Sequence, residues 1–483
     1  MTLDADTCYR ALRARDGRFD GVFFVGVQTT GIYCRPVCPA RTPGRDRCVF
    51  FERPALAERA GFRACFRCRP ELAPGGAPVD SVPRLVRSAV DRIEAGCLNE
   101  GSVDELAASL GVTSRHLRRA MEAEIGLTPV EVAQTRRLSL AKQLLQDTAL
   151  PLAEIAFAAG FSSVRRFNAL FQARFGRPPS ALRRENGPGA GGDGIALRLD
   201  YRPPLDWGAL LGFLAGRAIP GVEVVDGGEY CRAVELGGEV GWIAVRLDAD
   251  RPALRARVSL SLSSKLMIVV ARLRALFDLD AQPAVVAAHL GREPILAELV
   301  AQRPGLRVPG AFDGFETAVR AVLGQQVSVR AATTLSGRLA QRFGRQVALD
   351  VAGVERLFPT AAELAGAPAD EVAAIGSPAT RARTIVELAR AFAEGRVALS
   401  GGAAPEDVIA SLVVLPGIGP WTAHYIAMRV LRWPDAFPAG DLAVRKALGV
   451  TTVRAAEERA EAWRPWRAYA VLHLWTGLPG GGG

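Results

Sequence analysis

Two close cysteine pairs, Cys34-x3-Cys38 and Cys65-x2-Cys68, stand with 26 residues between them. Four thiolates at such spacing are the usual donor set of a tetrahedral zinc site. The spacing leaves two chemistries open. A closed site would only hold a small domain together, whereas a reactive one would use a sulfur that zinc keeps deprotonated, because the thiolate is the form that attacks carbon. Cys8, Cys48, Cys97 and Cys231 have no partner by spacing and read as packing residues. Far along the chain, LVVLPGIGPWTAHYIAM (412–428) has apolar residues on both sides of a Pro-Gly-Ile-Gly turn. Two helices joined by such a loop expose backbone N–H groups, and Gly417 and Gly419 permit a phosphate to come close. Twenty residues beyond Trp421, FPAGDLAVRKAL places Asp441 just before a helical stretch, where a carboxylate is either an N-cap or a rigidly held reactive group. The four histidines (His116, His289, His424, His473) are scattered, so a histidine metal centre or a Ser-His-Asp triad has little material. Only Lys142, Lys265 and Lys446 are lysines.

The 483 residues suggest three or four domains, and 49% hydrophobic with 23% charged residues is the mix of a folded protein. No long uncharged apolar run and no secretion signal precede or interrupt them, so a cytoplasmic location without membrane contact is expected, and with it no disulfide framework. Of the net charge of +10, most lies in front: residues 1–75 hold 13 arginines against 8 acids, and 81–185 hold 15 basic residues against 11 acids. A basic front suggests a polyanionic partner. GPGAGGDG (187–194) reads as a flexible linker, PELAPGGAPVD (70–80) as a weaker break and LPGGGG as a frayed tail. Between them, SVDELAASLGVTSRHLRRAMEAEIG and PLAEIAFAAGFSSVRRFNALFQARFG repeat a helix, a Gly-containing turn and a second helix. After the linker, ALRLDYRP, VEVVDG, YCRAVEL, WIAVRLD and LRARVSLSLS alternate in polarity and predict an antiparallel sheet, and helical periodicity resumes near 265.

Three stretches resemble known families. TTGIYCRPVCPAR (29–41) and AGFRACFRCRP (60–70) resemble the N-terminal domain of Ada-type methylphosphotriester-repair proteins. That resemblance implies one zinc on Cys34, Cys38, Cys65 and Cys68, with Cys34 both a ligand and the acceptor of a methyl group from DNA. RHLRR (115–119) and SSVRRFNALFQARFGRPPSALRR (162–184) resemble AraC-type transcription regulators, which implies Ser114, Arg115, Arg118 and Arg119 on one recognition helix and Ser163, Arg165, Arg166 and Asn168 on another. For these arginines, a solvated face or phosphate contact without base reading stays open. VRAVLGQQVSV, FDLDAQP, LPGIGPWTAHYIAMR and RPWRAYAVLHLW resemble the helix-hairpin-helix DNA glycosylases, most narrowly the AlkA-type 3-methyladenine DNA glycosylase II, over about 195–478.

The glycosylase resemblance implies Asp441 as the catalytic aspartate, Trp421, Tyr425 and Trp475 around the base, and Gly417, Gly419, Gln325 and Gln326 at DNA. Gln326 stands where that pattern can carry an apolar wedge. No cofactor is implied for the glycosylase, and Trp421 stands where strand-cutting relatives carry a lysine. The expectation is a multidomain α+β protein: a four-cysteine zinc domain (1–75), an all-α double helix-turn-helix domain (81–185), a linker (186–194), an antiparallel-sheet α+β domain (195–281) and an all-α helix-hairpin-helix glycosylase domain (282–478). Its implied partners are alkylated DNA, promoter DNA and RNA polymerase, bound by a monomer. A transcription factor whose glycosylase half only binds DNA is the alternative.

Overall fold

The computed structural model describes residues 4–75, 84–186, 194–399 and 404–477. Linker residues 187–193, residues 76–80 of the earlier break and the LPGGGG tail lie outside the described residues. The chain forms two compact units: Met1–Pro203 with Asp248–Ala271, and Pro204–Leu247 with Arg272–Gly483.

The first unit opens with helix α1 (Ala5–Ala14), whose Asp4 cap accepts from the N–H groups of Asp6 and Thr7. A small sheet follows, made of β1 (Phe24–Val27), β2 (Ile32–Cys34), β3 (Cys48–Phe51) and β4 (Arg63–Ala64), in the order β3-β1-β2-β4. β1 runs antiparallel to β2 and β3, and β4 lies parallel to β2. The Thr-Thr-Gly turn between β1 and β2 needs Gly31 in the left-handed region (φ 62°), and its N–H donates to the Val27 carbonyl at 3.0 Å. Helix α2 (Pro54–Arg59) separates β3 from β4.

The helical repeat folds as its pattern predicts: α3 (Arg84–Glu94), α4 (Val103–Ser109), α5 (Ser114–Ile125), α6 (Pro129–Asp147), α7 (Leu152–Ala158), α8 (Val164–Phe175) and α9 (Pro179–Asn186). Ser102 with Glu105 and Thr128 with Glu131 form capping boxes that start α4 and α6. Left-handed glycines, Gly126 and Gly176, end α5 and α8. Leu106, Leu117, Met121 and Ile125 share a core with Val86, Ala89 and Ile93 of α3. In the second copy Phe161, Phe167, Phe171 and Phe175 are buried in ring contact, each side chain contributing about 1.5–3 kcal/mol by leaving water.

The remaining strands are β5 (Ile195–Asp200), β6 (Glu223–Asp226), β7 (Glu229–Leu236), β8 (Glu239–Leu247) and β9 (Ala253–Val258). In the first unit β5 and β9 pair antiparallel, Ile195 opposite Val258; in the second, β6, β7 and β8 form an antiparallel meander with Tyr230 opposite Val245. The LRARVSLSLS segment is a strand only to Val258. Leu260–Lys265 is a 3-10 helix that buries Leu262 and exposes Leu260, so the alternation there is not a strand's. The rest of the second unit is helical. Its core joins Ala318 and Val322 of helix Gly314–Leu323, Leu339 of Val329–Phe343, Ile385 and Leu388 of Ala379–Ala393, and Leu412, Ala423 and Ile426 of the hairpin helices Pro405–Val413 and Pro420–Arg429.

Candidate metal centre and carboxylate site

Cys34 ends β2, Cys38 sits in the loop after it, and Cys65 and Cys68 follow β4, which lies parallel beside β2. That pairing brings the two halves of the motif together. The four Sγ atoms all lie within 4.8 Å of one another, with Cys34 half-buried and the others buried. Four sulfurs bound to one zinc at ~2.3 Å stand roughly 3.8 Å apart in a tetrahedron, so donor set and spacing fit zinc. Hydrogen bonding to Cys38, then to Cys65 and Cys68, pushes the Cys34 thiol up, while the bond with Cys34 draws Cys38 down to about 7. A divalent cation replaces the protons for which these thiols compete. The backbone N–H of Arg35 donates to Cys68 Sγ and that of Arg67 to Cys65 Sγ, both at 3.4 Å.

Arg35 anchors this loop by charge. Its Nε donates to Asp20 at 2.8 Å, its Nη1 to Asp200 of β5 at 2.7 Å and to the Cys68 carbonyl at 3.3 Å. On the other flank the ammonium of Lys142 in α6, fully buried, donates to Glu71 at 2.8 Å and to the Cys65 carbonyl at 3.0 Å. No spacing rule flags Arg35 or Lys142, because their partners are far away in sequence.

On the helical repeat, Arg115, Arg118 and Arg119 of α5 and Arg165, Arg166 and Asn168 of α8 are exposed. Ser114 opens α5 half-buried. Ser163 lies one residue before α8 and caps it, its hydroxyl accepting from the Arg166 N–H at 3.4 Å. A serine that starts a helix serves its orphan N–H groups first.

In the second unit Asp441 caps helix Leu442–Leu448. Three donors grip its carboxylate: the Val444 N–H at 2.9 Å and Trp475 Nε1 at 3.1 Å on Oδ1, and Trp421 Nε1 at 2.9 Å on Oδ2. Trp421 stacks on Tyr425, with ring centroids 5.4 Å apart and planes 11° from parallel, and Tyr425 lies 6.4 Å from the Trp475 ring. The implied pocket residues are thus one cluster, and two of them also orient the aspartate. Behind Tyr425, Arg429 Nη1 donates to the phenol oxygen at 2.7 Å. Burial pushes that phenol up, but Arg429, Arg217 and Arg320 more than reverse it and hold it below its usual range. Burial in turn draws Arg217 down to about 10.

In the hairpin loop Gly417 is left-handed (φ 86°), and a Cβ there would meet Thr384 Oγ1 at 2.1 Å. At Gly419 a Cβ would meet nothing within 4 Å, so its surface is open to an approaching phosphate. Gln325 turns inward to brace this loop, its amide donating to the Gly417 carbonyl at 2.9 Å and to Thr422 at 3.0 Å. Gln326 is exposed, with φ at 55°, and Leu442 beside Asp441 is 74% exposed.

Aligned with known proteins, the chain is 40% identical, over 98% of its own length and 97% of the relative's, to a Mycobacterium tuberculosis protein named "Probable bifunctional transcriptional activator/DNA repair enzyme AlkA". The chain belongs to that bifunctional family. Residues 7–71 match the metal binding domain of Ada, 106–185 a helix-turn-helix domain, 196–313 the AlkA N-terminal domain and 319–467 the HhH-GPD superfamily of base excision DNA repair proteins. DNA-3-methyladenine glycosylase 2 of Escherichia coli is 38% identical over 57% of this chain and 95% of its own. The 3-methyladenine DNA-glycosylase of Archaeoglobus fulgidus superimposes on 58% of this chain and 96% of its own with a TM-score of 0.51 at 22% identity, a likeness of fold. The protein therefore carries a zinc-binding Ada-type domain, a DNA-binding helix-turn-helix pair and an AlkA-type glycosylase, and double-stranded DNA is its partner. Among the described residues no helix is long and apolar enough to cross a membrane.

Proposed function

We propose that the protein both senses methylated DNA phosphates through Cys34 and excises alkylated bases, of the 3-methyladenine kind, through Asp441. The observation that carries the second activity is the carboxylate gripped by Trp421 and Trp475 beside the stacked Tyr425 ring. Electron-rich ring faces attract a base made cationic by alkylation. Such a base is already a good leaving group; as its glycosidic bond breaks with both electrons on the base, the sugar becomes oxocarbenium-like. Asp441 stabilises that charge and orients the water that completes the hydrolysis. With Trp421 in the position of a lysine, and no lysine between 266 and 445, no Schiff base to the sugar forms and the product is an intact abasic site. Gly417, Gly419 and the Gln325–Gln326 turn hold the DNA backbone, with Gln326 filling the gap left by the flipped base.

At the other site, the one zinc on Cys34, Cys38, Cys65 and Cys68 supplies charge that keeps the sulfurs deprotonated. Cys34, the least buried of the four, attacks the methyl carbon of a phosphotriester; the S–C bond forms, the C–O bond breaks and the phosphate leaves as a diester anion. The thioether product carries one negative charge fewer, which raises affinity for DNA phosphate and turns a single transfer into a lasting signal. The exposed side chains of α5 and α8, with the Ser114 and Ser163 helix starts, then read promoter DNA as a cytoplasmic monomer that engages RNA polymerase.

The test is release of 3-methyladenine and 7-methylguanine from methylated DNA by wild type, Asp441→Asn and Cys34→Ala, with transfer of labelled methyl to protein followed in parallel. Wild type and Cys34→Ala release base, Asp441→Asn does not, and only Cys34→Ala fails to accept methyl. Absence of base release by wild type returns the second unit to a DNA-binding role without chemistry.

A further inference from the structure

Two helix-turn-helix motifs read one site only if their recognition helices meet the duplex at a matched separation. Helix α6 links the two motifs along the chain, but the C-terminal ends of both recognition helices also rest on a third element, α2 and the strand after it. Both α5 and α8 end at a left-handed glycine, Gly126 (φ 68°) and Gly176 (φ 72°). Arg59 Nη1 donates to the Gly126 carbonyl, and Arg63 Nη1 lies 2.8 Å from where a Cβ on Gly176 would stand. Each cation thus sits at the negative end of a helix dipole. Next to Arg59, Glu58 receives Arg174 from the last turn of α8, the Thr135 hydroxyl of α6 at 2.8 Å and the Tyr33 hydroxyl at 3.0 Å. The Glu58 side chain is only 3% exposed. The apolar side of α2 is committed to the same body, because Ala55 belongs to the core of α3–α5 and Leu56 packs against it.

We propose that Glu58, Arg59 and Arg63 of the cysteine-bearing domain are spacing-determining residues for DNA reading. They clamp the ends of α5 and α8 to one short helix and its neighbouring strand, and so fix the distance between the two half-sites the protein accepts. Glu58 and Arg59 are adjacent on one rigid turn, so shifting α5 relative to α8 has to break either the buried carboxylate's bonds or the Arg59 cap. The proposal rests on the reading of the helix pair as a DNA reader.

The experiment is selection of binding sites from a randomised duplex pool by the full-length, zinc-loaded, methylated protein, comparing wild type with the double variant Glu58→Gln/Arg59→Ala and with Arg63→Ala. Wild type enriches two half-sites at a single spacing, and inserting one base pair between them lowers its affinity about tenfold. The double variant enriches the same half-site sequences over several spacings, and the insertion lowers its affinity threefold or less, by rough estimate. Zinc content measured alongside verifies that the cysteine domain is folded; where the double variant loses zinc, Arg63→Ala carries the same comparison. Unchanged spacing and an undiminished insertion penalty in the zinc-loaded variants overturn the clamp and leave α6 as the spacer. A wild type that enriches no sequence overturns the reading of the helix pair, and the clamp with it.

Discussion

Around Cys34 stand three buried thiols, and the Arg35 guanidinium, held by Asp20 and Asp200, donates to the Cys68 carbonyl. Around Asp441 the packing is looser: the carboxylate is half-buried, three N–H groups grip it, and Leu442 beside it lies open to solvent. The contrast matches the roles proposed for the two atoms. A thiolate that reacts once needs a counter-charge and a rigid frame, and nothing has to leave through the cluster. A carboxylate that turns over needs fixed orientation together with an open mouth through which a base enters and leaves. The first site is held by charge and burial, the second by directional donors.

Metal removal should separate the two most sharply. Chelating zinc from the full-length protein abolishes methyl transfer to Cys34, whereas base release, which uses no residue of that domain, continues at its former rate; parallel assays on one chelated sample check this. The frame of the sulfur site comes next. Lys142→Met strips the buried Glu71 of its ammonium partner but leaves it Arg69 at 3.3 Å, so denaturant unfolding should show the first unit losing about 3 kcal/mol, the lower end of the cost of breaking a buried pair from one side. In the second unit burial pushes His473 down to about 4. The folded chain holds it neutral while an unfolded chain protonates near 6.5. Its contribution is therefore complete above pH 6.5 and lost as pH falls toward 4, by about 3 kcal/mol in all. The stability difference between wild type and His473→Leu, followed from pH 7 to pH 4 by denaturant melts, should narrow or reverse accordingly. The smallest effect concerns orientation alone. Trp421→Phe keeps a ring but removes the donor to Asp441, and should slow base release about tenfold with little change in DNA affinity, since a hydrogen bond to a charged group contributes about 1.5–3 kcal/mol. Unchanged release would mean that the remaining two donors suffice.

What was legible in the sequence follows the same divide. Metal ligands come in close pairs, so Cys34, Cys38, Cys65 and Cys68 announce themselves by spacing. The Gly-Ile-Gly loop and the capping boxes of α4 and α6 are likewise local patterns. Pairwise contacts across the fold leave no such trace. Nothing in the order of residues marks the grip of Trp421 and Trp475 on Asp441 or the inward turn of Gln325, because each joins segments distant in the chain; the arginine behind Tyr425 sits one turn along the same helix, but only the fold shows that the pair faces inward. The SLSLS stretch misleads for the converse reason: its alternation is local, but burial of Leu262 against exposed Leu260 is decided by the surrounding fold.

The strand that follows the Gly-rich linker has a consequence for how this chain could be divided. β5 is tied back by Asp200 to Arg35 and, through Arg202, to the carbonyls of Asp20 and Pro74, so residues on both sides of the linker belong to one compact unit. A protease cut within 187–193 would leave a nicked molecule whose pieces stay associated. A gene truncated there would begin with β5 still paired with β9 but stripped of its ties to Arg35, Asp20 and Pro74. The chain passes between its two compact units at 203/204, 247/248 and 271/272, and not at the Gly-rich stretch.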